Sequence, residues 1–165
     1  DRPLLALLCG RARGPLLRST AGPVLAMGVG EELARQRMTD AVRAAVGERL
    51  NDSTVDKVVR NASSSWAQSG HLQGRTRKFR QPVRAGAAAA TYALVLGYLQ
   101  GLRGASLFTT LWAQALCCSP GELRDLAAEG KRYGYLDLKI AGDIIEVGLS
   151  ALHTNKEIQD SRVTH

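Results

Sequence analysis

Lys57, Arg60, Asn61, Ser64 and Gln68 follow one another at the spacing of a single helix. Asparagine, serine and glutamine carry both donors and acceptors, which is what reading base edges in the major groove of duplex DNA requires. Lys57 and Arg60 suit a phosphate or a guanine. Close behind come Arg75, Arg77, Lys78 and Arg80, four cations within six residues. Such a run can neutralise backbone phosphates and release the counterions condensed on them. Contacts of that second kind supply affinity and carry little sequence information.

Where the charge sits matters more than its total. The 165 residues include 22 basic and 15 acidic side chains, a net charge of +7. Between Ser53 and Arg84 seven basic residues meet only Asp56, so this stretch alone holds +6. Residues 1–52 hold +2 and residues 85–165 hold −1. Charge that served solubility alone would be spread more evenly, so the concentration points to a polyanionic partner. A solvated helix face or an arginine-rich surface loop each explains half of the pattern. Their adjacency favours nucleic acid, with double-stranded DNA as the expected partner.

Catalytic chemistry finds little to build on. Ser63-Ser64-Ser65 lacks a nucleophile-elbow context, and His71 nearby has no orienting acid. The chain holds no Walker loop, dinucleotide fingerprint or paired carboxylates. Cys9, Cys117 and Cys118 make an odd number without metal-ligand spacing, and His71, His153 and His165 have no partner pattern. The expectation is a protein that is not an enzyme and takes no cofactor or metal, with reduced thiols in the cytoplasm. Trp66, Trp112 and Tyr98 raise the idea of a base-stacking platform, but Trp66 falls on an apolar stripe and reads as core.

These side chains need elements to hold them. Glu31 to Leu50 reads as a helix, with Leu33, Ala41, Val42, Ala45 and Leu50 near helical spacing. A second helix starts at Ser53 as N-cap, with Asp56 closing a capping box. Val55, Val58, Val59, Ala62 and Trp66 form its buried stripe, and Gly70 ends it. An extended pair then carries the cations to Pro82. Helices follow over 87–99 and 106–116, and Ser119-Pro120-Gly121-Glu122 is a strong helix start. Leu136–Ile140 and Ile144–Leu149, around Ala141-Gly142-Asp143, read as a hairpin. Residues 151–165 read as a polar tail.

The pieces repeat. Gly70-His71-Leu72 and Gly134-Tyr135-Leu136 lie 64 residues apart, each after a capped helix and before an extended pair. Helices followed by a hairpin is the order of a winged helix-turn-helix. The fold expected is therefore mainly α with short β-hairpins, as two tandem winged-helix-like units over 1–84 and 85–150. The first would contact DNA. In the second, Glu122, Asp125 and Glu129 would repel phosphate, which assigns it to packing, dimerisation or a protein partner. Ala85 to Leu102 runs 18 residues without charge, but its alanines, glycines and Gln100 read as a core helix, with no membrane partner expected.

The stretch from Ser53-Thr54 through Trp66-Ala67-Gln68-Ser69-Gly70-His71-Leu72 resembles the recognition helix and wing of winged helix-turn-helix proteins. More loosely, the chain is similar to the small accessory protein A family of bacterial BREX phage-defence systems. The likeness lies in size, a mainly helical build and a Ser-Thr, helix, Gly-Leu signature. That resemblance implies DNA binding within a defence complex, beside other defence proteins or a second copy, without catalysis; a transcription regulator is the related reading. Two other readings remain open. One is an adaptor whose basic wing meets an acidic protein surface. The other is an all-helical RNA-binding factor of antitermination type, against which the hairpin argues.

Overall fold

Prolines at positions 3, 15 and 23 punctuate the opening helices of the structure, a computed structural model that describes residues 1–141 and 144–148. They are α1 (Arg2–Arg13), α2 (Pro15–Ser19) and α3 (Ala21–Leu25). The helix expected from Glu31 begins later, as α4 (Arg35–Val46), which buries Met38 and Val42 and runs into a single 3-10 turn over Gly47–Arg49. Glu31–Leu33 is instead extended, and Ala45 is exposed. Backbone pairing explains the difference. The Gly30 amide donates to the Arg80 carbonyl (2.8 Å), the Arg80 amide to Glu31 (2.9 Å) and the Leu33 amide to Lys78 (2.7 Å).

Helix α5 (Asp52–Gln68) starts two residues earlier than a cap at Ser53 would place it. Asn51 is the N-cap, its side-chain oxygen accepting from the Thr54 amide at 2.9 Å. Ser53 lies inside the first turn, and Asp56 pairs with Arg35 of α4 rather than closing a capping box. Val55, Val59, Ala62 and Trp66 are buried as the stripe requires, whereas Val58 is only half-buried at its edge. The Trp66 indole donates to the Thr20 hydroxyl (2.9 Å), which satisfies the polar atom of an otherwise apolar core residue. Two short strands follow, β1 (Leu72–Gln73) and β2 (Phe79–Arg80), paired antiparallel with Leu72 opposite Arg80. Glu32 forms a bridge to Phe79 on the free edge of β2.

The chain divides into two compact units, one of Arg2–Arg84 and the other of Asp1 with the chain from Ala85 onward. The first has a continuous core of Leu7, Val24, Met38, Val42, Val59 and Trp66 with their neighbours. In the second, α6 (Ala87–Leu99) is buried almost all round, as its uncharged sequence demands. The helix expected over 106–116 is broken. Gly104–Thr109 is 3-10 and α7 covers only Leu111–Gln114, because the Thr110 hydroxyl caps a new start by accepting from the Ala113 amide (3.1 Å). Helix α8 (Pro120–Arg132) has the expected capping box, with Ser119 accepting from the Glu122 amide and Glu122 accepting from the Ser119 amide.

The hairpin is present as β3 (Asp137–Ala141) and β4 (Ile144–Gly148), antiparallel with Leu138 opposite Val147. Gly142-Asp143 at its turn, Leu149 at its expected end and the polar tail 151–165 lie outside the described residues. The 64-residue repeat recurs in the backbone. Gly70 and Gly134 have φ of 86° and 73°. After α5 the Gly70 and His71 amides donate to Ala67 and Trp66; after α8 those of Gly134 and Tyr135 donate to Lys131 and Gly130. Both are Schellman terminations, and each delivers a buried leucine, Leu72 or Leu136, to the strand that follows. The chain is mainly helical with two small antiparallel hairpins.

Candidate nucleic-acid interface

Burying the valine and tryptophan stripe of α5 turns the opposite face outward. Lys57, Arg60, Asn61, Ser64 and Gln68 are all exposed, so the helix brings the five expected side chains to solvent on one element. Gln68 reaches back to Ser64 at 3.4 Å. No ion pair engages Lys57 or Arg60 among the described residues. The lone acid of the basic stretch, Asp56, is held by Arg35 at 3.1 Å, so α4 cancels the one charge that would oppose an anion here.

The loop between β1 and β2 places its cations unequally. Arg75 is exposed and has no ion-pair partner among the described residues. Lys78 is half-buried, and its ammonium donates to the Gly74 carbonyl at 3.1 Å. Arg77 is exposed but committed. Its Nε donates to Glu32 at 2.8 Å, a second guanidinium nitrogen meets the other carboxylate oxygen, and the group stands 5.6 Å from the Phe79 ring centroid. That bidentate pair holds the Glu32 carboxyl below, and the Arg77 guanidinium above, their ordinary pKa.

Arg80 corrects the expectation from sequence. It is only 4% exposed, and its guanidinium donates to the backbone carbonyls of His71 (3.2 Å) and Gln81. It ties β2 to the end of α5 and presents nothing to a ligand. Of the three aromatics considered for stacking, Trp66 and Trp112 are 0% and 3% exposed, and half-buried Tyr98 has the Arg103 guanidinium 3.6 Å from its ring centroid. His71 is likewise interior, its ring edge against Trp66 and its Nδ1 2.8 Å from the Ser69 hydroxyl.

Between α5 and the β1–β2 loop lies a cleft of about 190 Å³ that the sequence did not reveal. Arg60 and Ser63 come from α5, Arg75, Thr76 and Lys78 from the loop, and Leu33 and Arg35 from the segment entering α4. No carboxylate lines it. The sequence gives no signal for Thr76 and marks Ser63 only within the Ser63-Ser64-Ser65 run, because a hydroxyl beside an arginine has no signature until the loop folds over the helix. On α8, Glu122 and Asp125 are exposed as expected, while Glu129 is half-buried and accepts from the Tyr133 hydroxyl at 3.1 Å.

Among the described residues no group of three His, Cys, Asp or Glu side chains could hold a metal ion, and no helix is long and apolar enough to cross a membrane. Comparison with protein-family models, with curated proteins and with solved structures finds no match to this chain.

Proposed function

We propose that this chain is a non-enzymatic protein that binds double-stranded DNA through its amino-terminal unit. One observation carries the reading: the exposed polar face of α5 runs without an opposing carboxylate into a cleft lined by Arg60, Arg75 and Lys78. The order of elements supports it. An extended segment at residues 30–33, α4, α5, β1, a basic loop and β2, with the first segment paired to the last strand, is the order expected of a winged helix-turn-helix. In that arrangement α5 enters the major groove, Asn61, Ser64 and Gln68 read base edges, and Lys57 with the loop cations meets phosphates. The second unit has the same succession of helix, helix, capped helix and hairpin, but its capped helix exposes Glu122 and Asp125. It is suited to a protein partner or a second copy rather than to DNA.

Binding to duplex DNA, single-stranded DNA and RNA, titrated over several salt concentrations, tests this. Duplex is expected to bind best, with log K falling linearly with log salt concentration. Lys57→Gln should flatten that slope by about 0.9, whereas Asn61→Ala should lower discrimination between sequences by roughly 1–3 kcal/mol and leave the slope unchanged. Equal indifference to all three nucleic acids would transfer the basic surface to an acidic protein partner.

A further inference from the structure

The cleft beside α5 deepens that reading. We infer that Arg60, Arg75 and Lys78 converge on a single phosphate, a phosphodiester of the DNA backbone, gripped between helix and loop. The alternative within the same reading is that each cation meets a phosphate of its own. Geometry separates the two. Arg60 and Ser63 stand a turn apart on α5, and the loop brings Arg75, Thr76 and Lys78 to the other wall of one cleft. At about 190 Å³ it lies below the roughly 300–1,000 Å³ of pockets that enclose drug-sized ligands. It suits one anionic group rather than a whole nucleotide.

The donor set fits a tetrahedral oxyanion. Two guanidinium groups and an ammonium supply charge-assisted donors, and the Ser63 and Thr76 hydroxyls add neutral ones. No carboxylate on the lining competes, and Arg35, the one cation of the lining that is ion-paired among the described residues, is occupied by Asp56 at 3.1 Å. Arg77, one residue before Lys78, is turned to Glu32 and does not line the cleft. Arg75, Thr76 and Lys78 thus line the anion site while Arg77 fastens the loop.

Counterion release distinguishes one shared phosphate from three separate ones, because the salt slope counts phosphates neutralised rather than cations present. The measurement is duplex affinity against salt for the full chain and for Arg60→Gln, Arg75→Gln and Lys78→Gln, singly and together. A shared phosphate predicts that each single change leaves the slope nearly unaltered and the triple change flattens it by about 0.9. Three separate phosphates would flatten it by about 2.7 in the triple variant, which overturns the inference. The double variant Ser63→Ala/Thr76→Ala removes no charge, should fold as the parent does, and is expected to weaken duplex binding severalfold at an unchanged slope.

The outcomes separate this site from the broader reading. A triple variant with the parent's slope, alongside a flattened slope for Lys57→Gln, would discard the cleft and keep DNA binding. Titration with inorganic phosphate, followed by amide shifts at Ser63 and Thr76, identifies the source of the anion. Saturable shifts without any duplex binding at low salt would make this a free-phosphate site and overturn both the diester assignment and the DNA reading.

Discussion

Arg80 and Arg77 stand three residues apart, and neither does what a basic run suggests. Arg80 lies opposite Leu72 in the hairpin, and since cross-strand partners share a face, the burial of Leu72 takes Arg80 inward with it. Arg80→Ala should therefore cost roughly 1–3 kcal/mol of stability, the usual toll of removing hydrogen bonds to a charged group. Thermal or urea unfolding checks the cost, and an unchanged salt slope for DNA would separate it from Lys57→Gln. Arg77 has the opposite fate, exposed yet paired. Because the Glu32 carboxyl titrates below its unfolded value, the pair's contribution is complete above the ordinary carboxylate range. It is lost as pH falls through the lowered value. Carbon-detected NMR titration of Glu32 should show its midpoint rising in Arg77→Gln. An identical midpoint in parent and variant would mean the pair does not persist in solution. Reading these roles from sequence required the strand register, and two-residue strands leave too short a pattern to reveal one.

At the scale of elements, strong local signals survived folding and weak ones gave way to tertiary partners. The α8 capping box and the β3–β4 hairpin are legible because all their determinants lie within a few neighbouring residues. The stripe on α5 was legible for the same reason, yet its start was displaced. Asn51 and Ser53 are both good caps, and Asn51 wins because Asp56, needed to complete the box on Ser53, is drawn to Arg35 across 21 residues. Asn51→Ala should accordingly cost about 1 kcal/mol and Ser53→Ala almost nothing, measurable by denaturant unfolding of the two variants. Equal costs would restore Ser53 as the cap. Residues 31–33 read as helix in the sequence because their partner β2 lies more than forty residues downstream, beyond any local periodicity. The cleft was invisible for that reason too: its walls come from three separated stretches of chain.

Across the whole molecule, the uneven charge of the sequence falls unevenly on the two compact units, with the basic loop in the amino-terminal one. Both end a long capped helix, α5 or α8, with the same glycine termination and lead a buried leucine into a hairpin, yet only the first surrounds that hairpin with cations. The shared ending is legible in the 64-residue repeat, since a Schellman termination is written in a few consecutive residues. The pairing of residues 30–33 with β2 has a further consequence, for portability. All of the concentrated charge lies in Ser53–Arg84, but that segment does not own its shape. The edge strand, the carboxylate that fastens Arg77 and the arginine that silences Asp56 are all lent by residues 30–35. Transplanted alone, the segment would keep its attraction for polyanions and lose the loop that aims it; the smallest graft that carries the surface intact begins no later than Gly30.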